Sequence, residues 1–521
     1  MRRSSEELGR MNGVTTLFRP SLSLRDPGAI LLISCYELGH QPLGLAIPLS
    51  LLHERGFHPA AVDLSLDDLD AEAVSRARFV GVSVPMHTAL RIGAEASRQI
   101  RECNPSCHIC FFGLYASLNS KSLLSDAADS CIGEPYLNRL PDLVQDIESG
   151  SNDPLPGVEY RSIRSQGKPG PISASTPSDS ARPTIPFVLP TVTPSREMLP
   201  DLCRYARLAL GEERRIAGYV EATRGCLHLC RHCPIPPVHG GRFKAFPREL
   251  VLEDARRQIR AGAEHLTFGD PDFLNGPTHS LAIVRQLHME FPDVTWDCTT
   301  KIEHILKRRS LIPELGENGC IFIISAVESL SPRVLAVLDK GHSRDDVAAA
   351  LVVLRAAGIP MRPTLVPFTP WTTMADYLDL FSFIEDEALI DHVDPVQFTI
   401  RLLIPPGSLL LETAEMQPFL GTLDDRSFSY AWSHSDPRMD RLATDASSVV
   451  ERASANGQDP TSTFYELWEL AARTAGTPIP NRQRSLSSNK APVPRLTEPW
   501  FCCAEPTQSQ FRSLLRKPDA A

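Results

Sequence analysis

A chain of 521 residues with 42% apolar side chains can bury a sizeable core in two or three domains. Its net charge of −10 is spread without a basic run, which excludes a nucleic-acid or anionic-membrane surface, and no window approaches the roughly 18 apolar residues of a membrane span. The N-terminus MRRSSEELGRMNGVTT has two arginines but no apolar segment behind them, so the expectation is a cytoplasmic protein acting on a small-molecule substrate, with neither nucleic acid nor membrane as partner.

Between residues 28 and 135 apolar runs (AILLISC, HPAAVDL, FVGVSVP, HICFFG) alternate with helical stretches (PLGLAIPLSLLHERG, ALRIGAEASRQIREC). This is the rhythm of a doubly wound α/β domain, assigned to residues 25–148, whose ligands sit at the carboxyl ends of the strands. Residues 149–205 are dense in Pro, Ser and Gly and read as a linker. Residues 206–405 then read as six strand-then-helix units, with strands IAGYVEAT, HLTFGD, VTWDCTT, CIFIISAVE, MRPTLVPF and VQFTIRLLI. Repeats of this length predict a partial (β/α)6 barrel with its chemistry at the strand C-terminal ends. Residues 406–521 form a mostly helical extension that runs into a Pro-rich passage ending EPWFCCAEP.

Eight of the thirteen cysteines fall in clusters at 103/107/110, 226/230/233 and 502/503, which suits reduced thiols and metal chemistry better than a disulfide framework. Cys103, Cys107 and Cys110 run into an apolar strand and read as buried thiols. Cys226, Cys230 and Cys233 (EATRGCLHLCRHCP) follow the first barrel strand, on a loop at its functional face. A closed zinc site there needs a fourth ligand, from His228, His232 or His239. An iron–sulfur cube held by three thiolates instead leaves one iron open for a ligand.

The C-x3-C-x2-C spacing on such a loop resembles the radical SAM superfamily, and the resemblance extends over about residues 215–405. It implies that Cys226, Cys230 and Cys233 bind a [4Fe-4S] cluster whose open iron takes S-adenosylmethionine. It also implies cofactor contacts by Gly269 and Asp270 in FGDPDF, with Asp272 beside them, and by Glu328 after the fourth strand. Lys301 and Glu303 end the third strand, facing the site or starting a helix. Arg401, a charge inside the apolar run FTIRLLI, is expected to pair with a carboxylate such as that of SAM.

The N-terminal domain resembles the cobalamin-binding domains of related enzymes through QPLGLAIPLSLLHERGFHPAAVDL and DSCIGEPYLNRLPDL. It lacks their Asp-x-His-x-x-Gly, offering only His40 at a different spacing, so the resemblance admits cobalamin without supplying its axial histidine. The tail resembles that of radical SAM proteins ending in CCAEP or CUAEP. That likeness implies a chemical role for Cys502 and Cys503, either in holding a thiophilic element such as trivalent arsenic or in reducing an intermediate. The expected activity is reductive cleavage of SAM to a carbon radical, fed by a flavodoxin- or ferredoxin-like donor, that modifies a small substrate. The alternatives are a cobalamin-dependent methyltransferase and, from another class, a zinc-stabilised binding protein without turnover.

Overall fold

The computed structural model describes residues 23–151, 153–161, 188–479, 492–498, 505–506 and 508–511. The first strand–helix units are β1 (Ile30–Ser34), α1 (Leu43–Glu54), β2 (Ala60–Asp63), α2 (Ala71–Arg76), β3 (Phe79–Ser83), α3 (His87–Cys103), β4 (His108–Gly113), α4 (Leu114–Asp126), β5 (Ser130–Gly133) and α5 (Leu140–Ser149). A short β6 (Val158–Tyr160) adds antiparallel to β5, and the sheet order is β2-β1-β3-β4-β5-β6. The strands are apolar throughout because both faces are covered. Leu31, Ile33, Val80 and Val82 pack with the helices of one face, and Ile30, Leu32, Phe79 and Phe112 with α1 and α5 on the other. Cys107 and Cys110 are divided between these two cores, as expected of buried thiols, whereas Cys103 ends α3 in solvent. Strand order reverses between β1 and β3, which opens a crevice at their carboxyl ends.

The hairpin β7 (Arg207–Leu210) and β8 (Glu213–Val220) starts the second unit. It continues through β9 (Thr223–Gly225), α6 (Ile235–His239), β10 (Phe243–Ala245), α7 (Arg248–Arg260), β11 (His265–Phe268), α8 (Pro277–Glu290), β12 (Thr295–Thr299), α9 (Ile302–Lys307), α10 (Ile312–Glu317), β13 (Cys320–Glu328), α11 (Pro332–Leu338), α12 (Arg344–Ala356), β14 (Met361–Leu365) and α13 (Met374–Asp386). The extension holds the hairpin β15 (Leu420–Asp424) and β16 (Ser429–Trp432), helices α14 (Pro437–Ala455) and α15 (Pro460–Ala475), and the two-residue β17 (Arg495–Leu496). Strands order as β14-β13-β12-β11-β8-β7-β17 in a curled half-barrel, with β8 and β11 to β14 parallel.

The sixth barrel strand expected at VQFTIRLLI is not formed. Residues Pro395–Phe398 make a 3-10 turn, and only one parallel bridge, Phe368 to Arg401, remains. The side-chain oxygen of Gln397 accepts the Leu365 N–H that a neighbouring strand would have taken, and Pro405 and Pro406 end the run. Helix α15 seals this side, with Phe464 and Trp468 against Phe381 and Phe398.

The two units are joined through Arg196, whose guanidinium grips Asp254 of α7 at 2.8 and 2.9 Å, the Tyr219 carbonyl at 2.8 Å and the Gln41 side chain at 3.1 Å. Among the described residues no helix is long and apolar enough to cross a membrane.

Candidate functional site

The cysteine loop leaves β8 and is pinned at once. β9 pairs antiparallel with β10, and Gly225 makes the turn at φ 85°, where a Cβ would meet the Arg242 carbonyl at 2.4 Å. Cys226 and Cys230 are buried and Cys233 is half-buried, all as free thiols. Burial raises Cys226 and Cys233, and the neighbouring thiols push both further up. Thiols that resist ionisation for these reasons suit a site where a cation is to hold them as thiolates. Tetrahedral zinc would set its sulfurs roughly 3.8 Å apart. Among the described residues the group whose donor atoms all gather within 4.8 Å is a different one, His228, Asp272 and His304, so the three thiols are spread more widely than one ion requires. The expected fourth zinc ligands each face a carboxylate: His232 faces Glu328 at 3.4 Å, His239 faces Glu134 at 3.1 Å, and His228 faces Asp272 at 3.4 Å.

Gly269 and Asp270 stitch β11 to the root of this loop. The Gly269 N–H donates to the Val220 carbonyl at 2.8 Å, and the Tyr219 ring lies where a Cβ would stand. Asp270, 1% exposed, accepts from the Ala222 N–H at 2.9 Å and the Thr223 hydroxyl at 2.5 Å. Burial raises its carboxyl to about 7 against the pull of those bonds. Both residues are therefore turned toward the loop's backbone.

Glu328 ends β13 at φ 63°, a left-handed backbone that costs a non-glycine residue of order 1–3 kcal/mol. Its carboxylate meets the buried Lys340 ammonium at 3.3 Å. Burial would raise it, but Lys340 and then His232 hold it at about 2. Lys301 stands at the N-cap of α9 and Glu303 in its first turn, the two charges 3.6 Å apart, and Glu303 also faces His228 of the cysteine loop at 3.6 Å, so this helix start faces the site. Arg401 lies away from the loop. It pairs with Asp440 at 2.8 Å, donates to the Trp432 carbonyl at 2.8 Å and stacks on the Trp432 ring at 3.6 Å.

Sequence reasoning did not single out Lys340 or His304. Both sit in polar stretches that read as solvated, yet Lys340 is 2% and His304 7% exposed. Burial also raises Asp272, but the facing imidazoles of His228 and His304 and the Thr300 hydroxyl reverse this and hold it at about 2.

A crevice of about 100 Å³ lies between the strand ends of the α/β domain and β8. Leu38, Leu43, Met86, Leu114 and Leu137 supply its apolar lining, and Glu37, Glu134, Glu221 and Arg224 its charge. Arg224 bridges Glu134 and Glu221, while burial raises Glu37 to about 8. The His40 ring lies tilted against Tyr219, centroids 4.6 Å apart, and is held neutral by burial, at about 4. The crevice lies between the domains with an apolar lining, and its volume is well below the roughly 300–1,000 Å³ of drug-sized sites. A corrin with its nucleotide arm is larger than this, so the crevice as formed does not enclose it. Cys502 and Cys503 lie outside the described residues. Their flanks bind at the same end of the sheet: Glu498 accepts from the Tyr36 hydroxyl at 3.1 Å, and Glu505 pairs with Arg91 and meets His87 at 3.3 Å.

The profile of the radical SAM superfamily matches residues 220–381. A putative methylthiotransferase of Methanocaldococcus jannaschii is 25% identical over 34% of this chain, and the match spans 42% of that relative, under half its length. An uncharacterized methyltransferase of Pyrococcus horikoshii is 22% identical over 74% of this chain and 81% of its own. In fold, the chain is similar to the radical S-adenosylmethionine methyltransferase TsrM of Kitasatospora setae with cobalamin and a [4Fe-4S] cluster bound (TM-score 0.59, 14% identity, 87% of this chain and 100% of that one). It is likewise similar to the cobalamin-dependent enzyme OxsB with aqua-cobalamin bound (TM-score 0.62, 15% identity, 81% and 67%). At these identities the likeness is one of fold.

Proposed function

We propose that this chain is a radical SAM enzyme in which Cys226, Cys230 and Cys233 hold a [4Fe-4S] cluster and leave the fourth iron to SAM, a reading supported by the family match over residues 220–381. The observation that carries this reading is three free thiols, two buried and one half-buried, on one pinned loop at the carboxyl end of a parallel half-barrel. When bound, the cluster and SAM supply a carbon radical through reductive cleavage of a carbon–sulfur bond. The chain's own part is placement and exclusion. The β9–β10 hairpin fixes the loop, and Gly269 and Asp270 tie it to β11. The Glu328, Lys340 and His232 cluster makes a buried charged wall beside Cys233. An electron donor of the flavodoxin or ferredoxin class and a small substrate belong to the same proposal.

Cobalamin-dependent methyl transfer is the second reading, favoured by the crevice at the β1/β3 switch point, which opens toward the barrel strand that leads into the cysteine loop. Leu38, Met86 and Leu114 are the side chains a corrin would lie against or displace. Trivalent arsenic has no support in the fold or in these relatives and is not proposed. A reducing role for Cys502 and Cys503 belongs to the radical SAM proposal.

The test is made on protein purified without oxygen and reconstituted with iron and sulfide, then given SAM and dithionite. A brown chromophore and SAM cleavage, both lost in Cys226→Ala, are expected. 5′-Deoxyadenosine or methylthioadenosine among the products tells which bond breaks, and a spectral change on adding hydroxocobalamin supports the second reading. Colourless protein that holds zinc and leaves SAM intact overturns both.

A further inference from the structure

We propose that His228, Asp272 and His304 form a second metal centre, taking one divalent first-row transition ion of the Zn²⁺ or Fe²⁺ kind, beside the cysteine loop and separate from its thiols. The three residues come from different elements. His228 stands between Cys226 and Cys230, Asp272 follows β11, and His304 lies in α9 after β12. Neighbouring parallel strands bring them together at the carboxyl end of the half-barrel, where the tilted rings of His228 and His304 have centroids 4.6 Å apart.

The donor atoms themselves point to a ligand. His228 Nε2, Asp272 Oδ2 and His304 Nδ1 are each buried with no partner in hydrogen-bond geometry, although all three lie within 4.8 Å of one another. Buried polar atoms without a well-formed hydrogen bond are uncommon, and here three of them meet at one point. A cation at that point satisfies all of them. With metal–nitrogen and metal–oxygen bonds of about 2.0–2.2 Å, donors around one ion stand roughly 3.0–3.4 Å apart. The observed separations from Asp272 Oδ2 are 2.8 Å to His304 and 3.4 Å to His228, both close to that spacing, and the ligand atoms of the two imidazoles lie within 4.8 Å of each other.

The surrounding groups hold the donors in place. The other Asp272 oxygen accepts from the Thr300 hydroxyl at 2.8 Å and from the Leu274 N–H at 3.1 Å, which fixes the carboxylate and leaves one oxygen for an ion. The second nitrogen of His228 faces Glu303 at 3.6 Å, the carboxylate behind an imidazole that metal sites commonly use. Two imidazoles and one carboxylate select a borderline divalent ion over Ca²⁺ or Mg²⁺ and leave coordination positions open. His228 keeps 14% of its side chain exposed while Asp272 keeps none, so the open positions face the mouth of the barrel. A substrate heteroatom bound there would be anchored next to the cysteine loop.

The experiment uses the cluster-reconstituted enzyme with Co²⁺ as the probe ion. Iron and cobalt are counted per chain after removal of excess Co²⁺, and the cobalt X-ray absorption edge, which is blind to the cluster iron, reports the ligand atoms. The expected result is one tightly held cobalt with nitrogen and oxygen neighbours at about 2.0–2.2 Å. His228→Ala, at the partly exposed loop position, weakens its binding at least about tenfold while iron content stays at the wild-type value. His304→Gln does the same if it folds. Cobalt uptake that is absent in the wild type, unchanged in His228→Ala, or accompanied by a sulfur shell at about 2.3 Å overturns the proposal. Failure of the radical SAM reading registers separately, as missing iron and uncleaved SAM.

Discussion

Glu328→Gln keeps the size of the side chain and removes its charge, leaving the Lys340 ammonium, 2% exposed, without a counter-ion. Breaking a buried pair in this way costs about 3–5 kcal/mol. The carboxyl's own position gives an independent figure. It is held at about 2 against an ordinary 4.5, and at 1.36 kcal/mol per pKa unit the difference is worth about 3 kcal/mol. Burial lowers His232 even though Glu328 pulls it the other way, so the ring acts as a neutral neighbour and Lys340 carries the pair. Because the folded value lies below the unfolded one, this stabilisation is complete above pH 4.5 and disappears as pH falls toward 2. The assay is anaerobic denaturant unfolding at neutral pH, followed through the buried Trp296. Glu328→Gln is expected to lose about 3–5 kcal/mol, and Glu328→Gln with Lys340→Met to recover most of it, since an apolar replacement of the whole pair is close to neutral. A single variant within about 0.5 kcal/mol of wild type, or a double variant no better than the single, refutes the reasoning.

Arg196→Ala removes the grip between the α/β domain and α7 and leaves Asp254, 4% exposed at its side chain, unpaired; a loss of about 3–5 kcal/mol and faster protease cleavage between the domains are expected. Gly225→Ala places a Cβ 2.4 Å from the Arg242 carbonyl on a backbone at φ 85°, so the cysteine loop must shift, and iron content after reconstitution should fall below wild type. Glu37 is raised by burial to about 8, so its folded state holds a proton that the unfolded chain loses from pH 4.5 upward. Stability it contributes below pH 4.5 is therefore lost as pH rises through 8, by at most about 5 kcal/mol and less for a half-buried group. The unfolding midpoint of Glu37→Gln should decline less than that of wild type between pH 5 and 9, and parallel curves count against this.

What was legible in the sequence is what depends on local pattern. Strands such as ILLIS and FVGVS were recognisable because both faces of their sheet are covered, which turns each into an unbroken apolar run. The cysteine loop was recognisable because its ligands fall within eight residues and their spacing is itself the signal. The run VQFTIRLLI carries the same apolar signal as a strand, yet a single side chain, Gln397, takes the hydrogen bond that would have built the ladder, and hydropathy does not record that substitution. β17 spans two residues and has no period to detect.

Charges divide in the same way. Arg401 inside an apolar run announces that a carboxylate must be near. The expected carboxylate was that of SAM, and the fold supplies Asp440 from α14, 39 residues later. Lys340 and Glu328 are twelve residues apart across a helix, and Asp272 and His304 are brought together only by the adjacency of β11 and β12. Composition and position disclose the need for a partner, whereas strand order decides its identity. The thiols of the proposed cluster could therefore be named from the sequence, while the imidazole and carboxylate donors beside them emerge only from the folded sheet.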